Sequence, residues 1–276
     1  MSKLLHRLRR AGRRAREIID ARVQGGPPCG SCGFPGRPLE RQVLWPELVA
    51  QWELTPQWQR WMDEREGSRC ARCGSSLRSG QLAAALTGEM NRLAGSTAAH
   101  LRAACRDARV HRLAIAEINS AGNLHKQLAR CPGLRYSEYG STDPAVPAED
   151  LTKLSYADAS FDIATTSDTM EHVPDVDAAL REVRRILRPG GAYVFSIPVV
   201  WDRQTRRRAE LHDGKLVHLL PPSHHGAAGD GRHDMLVFHE FGADVVDRCR
   251  AAGFELELRK SADNPALVTF VARRPA

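Results

Sequence analysis

Residues 136–198 read YSEYGSTDPAVPAEDLTKLSYADASFDIATTSDTMEHVPDVDAALREVRRILRPGGAYVFSIP, and the hydrophobic rhythm changes twice within them. Phe161 to Thr166 is a short run dense in apolar and β-branched residues, as a buried strand requires. An acidic loop with Asp168, Glu171 and His172 follows, and then Val176, Leu180, Val183 and Leu187 recur at helical spacing. Arg188-Pro-Gly-Gly191 stops that helix, and Ala192 to Ile197 is again continuously apolar. Strand hydrophobicity on both sides of an amphipathic helix is the pattern of a parallel sheet buried beneath a crossover helix. Ligands of such sheets bind beyond the carboxyl ends of the strands. Asp168 to His172 occupies one such end and Pro198 to Trp201 the next.

The flanking segments extend the same unit. Leu113 to Ile118 reads as a first strand ending in the turn Asn119-Ser-Ala-Gly122-Asn123, and Leu134 to Glu138 as a second. Glu138 lies 21 positions after Glu117, close to the roughly 20 of a strand-helix-strand nucleotide unit. Gly140 to Pro147 is short for a crossover helix, so a third strand must be abbreviated or displaced. After the centre, Gly242 to Ala252 reads as a helix stopped by Gly253. Phe254 to Leu258 and Leu267 to Ala272 then form two closing strands.

The segments EDLTKLSYADASFDIATTSDTMEHVPD (149–175) and ALREVRRILRPGG (179–191) resemble the class I S-adenosylmethionine-dependent methyltransferases, in the type 11 branch. The resemblance runs from about Leu113 to Arg273. It implies an α/β fold with a Rossmann-like seven-stranded sheet, and S-adenosylmethionine as cofactor. Carried onto this chain, Glu117 matches the acid before the family's Gly-x-Gly-x-Gly turn, and Asn119 to Gly122 would pass beside the methionine portion. Glu138 would bind the ribose, Asp150 would accept from the adenine amine, and Leu151 would pack on the ring. Asp168, at the next strand end, would face cofactor and acceptor, with Glu171, His172, His224 and His225 around the acceptor. Among these, His172, His224, His225 and Asp168 are the catalytic candidates. Only Gly122 survives of the family's glycines. A modified pocket and a turn without ligand both fit that departure.

Two C-x-x-C pairs precede this unit: Cys29-Gly-Ser-Cys32 and Cys70-Ala-Arg-Cys73, each followed by glycine. Paired cysteines in tight turns bring four thiolates to one tetrahedral zinc, and a site closed by four cysteines is structural. A chain read as cytoplasmic disfavours the rival reading, disulfides. Trp45, Trp52, Trp58 and Trp61 lie between the pairs and predict a small local core pinned by the metal. Cys105, Cys131 and Cys249 stand alone and read as core residues.

The chain of 276 residues has a formal net charge of +7. Residues 1–22 hold eight basic residues against two acidic ones, so nearly all the excess lies on one tail. The body is close to neutral, and aromatic content is 6%. Both weigh against a nucleic-acid channel without excluding RNA. On the tail, Leu4, Leu8, Ala11, Ala15, Ile18 and Ile19 recur at helical spacing. Docking on the body is one reading of that stripe, and contact with lipid, RNA or an acidic partner is the other. No run approaches a membrane span, and arginines interrupt any signal-like region.

The expected organisation is a basic amphipathic helix (1–24), a zinc-binding module (25–80), a helical linker (81–108) and a methyltransferase domain (109–276) with a lid at 199–241. The lid holds His212, His218, His224, His225, His233 and His239. Their spacing matches no standard ligand set, so a histidine as general base is preferred to a second metal. The lid run DGKLVHLLPP (213–222), followed by a His-Gly pair, resembles lids of methyltransferases associated with sugars and secondary metabolites, and that resemblance implies a small-molecule, sugar or secondary-metabolite acceptor, with a hydroxyl or an amine as the methylated group. An RNA methyltransferase and a non-catalytic scaffold are the alternatives.

Overall fold

The structure is a computed structural model that describes residues 2–225 and 235–276, the side chains of residues 2–5, 8 and 9 apart. His233 lies outside the described residues. In chain order the elements are α1 (Ser2–Gln24), α2 (Pro46–Gln51), α3 (Pro56–Gly67), α4 (Leu77–Ala94), α5 (Leu101–Ala104), β1 (Ile115–Ile118), α6 (His125–Leu128), β2 (Leu134–Ser137), β3 (Phe161–Ser167), α7 (Val176–Ile186) and β4 (Leu187–Ser196). They continue with β5 (Arg206–Arg207), β6 (Ala209–His212), β7 (Lys215–His218), β8 (His239–Glu240), α8 (Val245–Ala251), β9 (Glu255–Lys260) and β10 (Val268–Arg273).

The central sheet has the order β2-β1-β3-β4-β10-β9, with β1 to β4 parallel and β10 antiparallel to both its neighbours. It holds six strands, which corrects the expected seven. The third strand of the sequence reading is reduced to one parallel bridge, Glu138 with Ala148. Two prolines, Pro144 and Pro147, lie in that connection and lack the N–H a ladder needs. Its backbone is satisfied locally instead: Glu138 donates to the Pro147 carbonyl at 3.0 Å and Glu149 to the Glu138 carbonyl at 3.2 Å.

Both faces of the sheet are covered. On one, α7 starts at Asp175, whose carboxylate accepts from the Ala178 N–H at 2.9 Å. It buries Val176, Ala179, Leu180, Val183 and Ile186 against Phe161, Tyr193, Phe195 and Phe270. Each large side chain so buried contributes about 1.5–3 kcal/mol. Arg188 to Gly191 is not a free turn. It enters β4 through a register shift opposite Phe161 and Ile163, with Gly190 at a left-handed φ of 76°.

The other face is covered by α4, whose Leu82, Ala83, Ala85, Leu86 and Met90 pack on Ile115, Ile163, Val194 and Val271. Residues 81–108, read from sequence as a linker, are therefore structure rather than spacer. Small residues let this helix approach the strands closely, and the sheet supplies the partner of its apolar face.

The tryptophans also depart from expectation. Trp58 packs with Met62, Val200 and Ala266, and Trp52 with Leu48 and Val237, while Trp45 is exposed. They attach the N-terminal segment to the lid and the β9–β10 turn. The core beside the cysteines consists of Ala21, Cys32, Phe34 and Ala71, with Ile18 of α1 packed on it. This end of the tail docks through Ile18, while Ile19, Ala11 and Ala15 are exposed.

Candidate functional site

The carboxyl edge of β1 and β2 forms the first part of the site. Asn119 adopts a left-handed φ of 59°, and its Oδ1 accepts from the Tyr139 N–H at 2.8 Å. Asparagine tolerates this region better than most residues, so the turn keeps a glycine-like backbone without the glycine. Gly122 has the same φ of 59°, with open space where a Cβ would stand. Glu117 is fully buried. Its Oε1 accepts from the Ala121 N–H at 2.9 Å, and Oε2 lies 2.7 Å from His125 Nδ1. Burial raises its carboxyl above the usual range, and those two bonds oppose the shift. It therefore builds the turn.

Glu138 follows the last residue of β2 and is half-buried, with Oε1 accepting from the Tyr136 hydroxyl. Burial first, and this carboxylate second, raise the Tyr136 phenol above its usual range, so it stays a donor at neutral pH. Asp150 is exposed and turns back on its own loop, accepting from the Thr152 N–H and hydroxyl at 2.8 Å each. Leu151 is 4% exposed and packs in the sheet core beside Leu154 and Phe161, which leaves it no face for an adenine ring.

The ends of β3 and β4 hold a network that local sequence reading missed. Arg65, from α3, forks onto Asp168 at 2.7 and 2.8 Å, and Ser196 Oγ donates to the same carboxylate at 2.7 Å. Arg78 lies 3.2 Å from Asp168 and bonds Glu66 at 3.0 Å. Burial alone would raise the Asp168 carboxyl, but the charges of Arg65 and Arg78 prevail and hold it well below the usual carboxylate range. Asp168 is thus a fixed anion in a bidentate pair at the end of β3. Its only sequence signal was the rarity of buried arginine.

A third group gathers on the loop after β3. His225 Nε2 and His172 Nε2 lie 3.7 and 3.8 Å from Glu171 Oε1. Glu171 is fully buried, and neither carboxylate oxygen has a hydrogen-bond partner among the described residues. His172 Nδ1 donates to the Leu236 carbonyl at 2.9 Å, so Nε2 is the bare nitrogen. Burial lowers the His172 imidazole below its ordinary value, with Glu171 opposing. His224, the other lid candidate, is exposed and stays outside this group.

The lid is stapled by an arginine cluster around one buried acid. Glu240 accepts from Arg203 at 3.0 Å, from Arg206 at 2.7 Å and from Arg208, itself 2% exposed. Arg203 and Arg208 also donate to the carbonyls of Trp52 and Gln51 at 2.7 and 3.2 Å. Arg203, Arg206 and Arg208 of the run Arg203-Gln-Thr-Arg206-Arg-Arg208 are thus taken up by internal structure, while Arg207 is exposed.

The cysteine pairs form two near-identical knuckles. Cys29 donates to the Phe34 carbonyl and Gly33 to that of Cys29, at 3.0 and 2.7 Å. Cys70 and Gly74 repeat these bonds with Ser75 and Cys70 at 2.9 and 2.8 Å. Gly33 and Gly74 take φ of 72° and 75°, which is why each pair is followed by glycine. All four Sγ atoms lie within 4.8 Å of one another, and Cys29–Cys73 and Cys32–Cys70 are 3.8 Å apart, too far for disulfides.

Residues 93–195 match the family described as a methyltransferase domain. A demethylmenaquinone methyltransferase of Mycobacterium marinum is 49% identical over 55 residues, 19% of this chain and 24% of that protein. A protein of a Streptomyces fradiae transposon, described as an uncharacterized 37.1 kDa protein, is 45% identical over 64 residues, 22% of this chain and 18% of its own. The chain therefore spans about a fifth of the length of these curated relatives. Among solved structures, a Burkholderia thailandensis 1,6-didemethyltoxoflavin-N1-methyltransferase with bound S-adenosylhomocysteine is 16% identical, with a TM-score of 0.43, over 87% of this chain and 94% of that one. The matched residues 93–195 include β1 to β3, α7 and all of β4 but its last residue, together with the loop of Asp168, Glu171 and His172. The central segment of the chain thus matches a methyltransferase domain.

Proposed function

We propose that this chain transfers the methyl group of S-adenosylmethionine to a hydroxyl or amine of a small molecule, sugar or secondary metabolite. The observation that carries the reading is the carboxyl edge of β1 and β2, inside the matched segment. There the Asn119 turn keeps a glycine-like backbone, and Glu138 offers a half-buried carboxylate at the strand tip. The residues present fit the nucleoside end of the cofactor: Glu138 has one oxygen engaged by Tyr136, and open space stands above Gly122. When bound, S-adenosylmethionine supplies an electrophilic methyl carbon.

The chain's own work is to position. Glu138 accepts from the ribose hydroxyls, with Tyr136 fixing its rotamer, while Glu117 and His125 hold the turn from behind. Glu171, His172 and His225 supply basic atoms beside the acceptor, and the stapled lid shields them from water. Asp168 orders the loop through Arg65 and Arg78. Support for a small-molecule acceptor comes from relatives such as the demethylmenaquinone methyltransferase, together with the near-neutral charge of the body. RNA binding with a steep salt slope that survives deletion of residues 1–22 would move the acceptor to RNA.

Calorimetry with S-adenosylhomocysteine tests the reading. The native chain should bind it, and Glu138→Ala should weaken binding by about 1.5–3 kcal/mol, as expected for a lost charge-assisted hydrogen bond. No heat at millimolar ligand with the native chain would leave a non-catalytic scaffold.

The four cysteines are proposed to hold a structural zinc. A tetrahedron with Zn–S of about 2.3 Å has sulfur–sulfur edges of about 3.8 Å, which the two close cysteine pairs match. Elemental analysis should show loss of this ion on Cys70→Ser, together with a lower unfolding temperature. Unchanged metal content would defeat the assignment.

A further inference from the structure

We propose that Glu171, His172 and His225 form a binding site for a divalent transition-metal ion, distinct from the four-cysteine site. One ligand atom from each of the three lies within 4.8 Å of the others, and Glu171 Oε1 is 3.8 and 3.7 Å from Nε2 of His172 and His225, close enough for one ion to reach all three. A cluster of polar side chains is common; a fully buried carboxylate with no hydrogen-bond donor among the described residues, as at Glu171, is not. Both nearby guanidinium groups are already engaged, Arg65 by Asp168 and Glu66, and Arg78 by Glu66 and Ser167. Among the described residues, Glu66 and Asp168 take up these two arginines, and Glu171 is left without a hydrogen-bond donor.

The supporting shell is that of a ligand set. His172 presents Nε2 because Nδ1 donates to the Leu236 carbonyl, the arrangement that orients metal-bound imidazoles. His225 is placed by its neighbours. Trp52 Nε1 donates to Ser223 Oγ at 3.2 Å, Ser223 accepts from the Val237 N–H at 2.9 Å, and the Trp52 ring lies 5.9 Å from the His225 ring. Two imidazoles and one carboxylate favour zinc, iron or cobalt over magnesium or calcium, which take oxygen ligands. Three protein ligands leave a position open for water or an acceptor heteroatom, whose proton the ion would make easier to lose. These are the residues that the methyl-transfer reading sets beside the acceptor, but metal binding is measured without S-adenosylmethionine, so failure of one reading is distinguishable from failure of the other.

The test uses the full, tag-free chain, stripped of metal and titrated with Co2+. The native protein should bind two ions per chain, one with the intense sulfur-to-cobalt absorption and one with only weak ligand-field bands. His225→Ala and, separately, the near-isosteric Glu171→Gln should each remove the weak-band ion, at least tenfold in affinity, and leave the sulfur band unchanged. Cys70→Ser should do the reverse. One ion per chain in the native protein, or two retained in both His225→Ala and Glu171→Gln, would overturn the proposal. Circular dichroism of each variant separates loss of site from loss of fold.

Discussion

Arg65→Met is expected to lower the unfolding free energy by about 3–5 kcal/mol, because it leaves the Asp168 carboxylate in a partly buried site without its bidentate partner. Arg65 is 1% exposed and Asp168 only 16%, so water cannot replace the lost bonds. The double variant Arg65→Met with Asp168→Asn should recover much of the loss, since the orphaned charge is then absent. The effect also has a pH signature. In the native chain the Asp168 carboxyl is depressed, so its contribution is fully present above its unfolded value of about 3.9 and is lost as pH falls through the lower folded value. The gap between native and Arg65→Met should therefore be widest near neutrality and narrow in acid. Urea unfolding at several pH values measures both. A gap under about 1 kcal/mol at neutral pH, or one that widens on acidification, would refute the role given to this pair.

Glu240→Gln should cost a similar amount, about 3–5 kcal/mol, but with a different readout. Glu240 is fully buried, and the amide removes the anion that Arg203, Arg206 and Arg208 share. Arg208 is held also by the Gln51 and Pro221 carbonyls, at 3.2 and 2.7 Å, so the staple ties the lid to the N-terminal segment. Its loss should make bonds within 199–241 open to protease before the sheet unfolds. Equal digestion rates for native and variant lids would show that the tryptophan contacts alone hold the lid.

The fold was legible wherever it rests on local periodicity. Val176, Leu180 and Val183 announced a helix with one buried face, and α7 has that face; Ala192 to Ile197 announced a buried strand, and most of it lies in β4. The cysteine pairs were legible for a similar reason, since each knuckle closes within six residues. The seventh strand failed because a resemblance was counted where the connection, with Pro144 and Pro147, could not form a ladder. The docking of α4 on the sheet was not legible, because a helical rhythm within 81–108 announces a helix but not the surface it packs against.

The turn at Asn119 and Glu138 stand at the ends of β1 and β2, where the strand pattern placed them. The pairing of Arg65 with Asp168, 103 positions apart, could not be read from local pattern. Nor could the meeting of His225 with Glu171, or the exclusion of His224. Sequence by itself determined the strands, the crossover helix and the two knuckles, because those depend on neighbours within a few turns of chain. The tertiary structure alone decided which buried charges meet, because a carboxylate leaving water takes whichever donors the finished packing brings within about 3 Å.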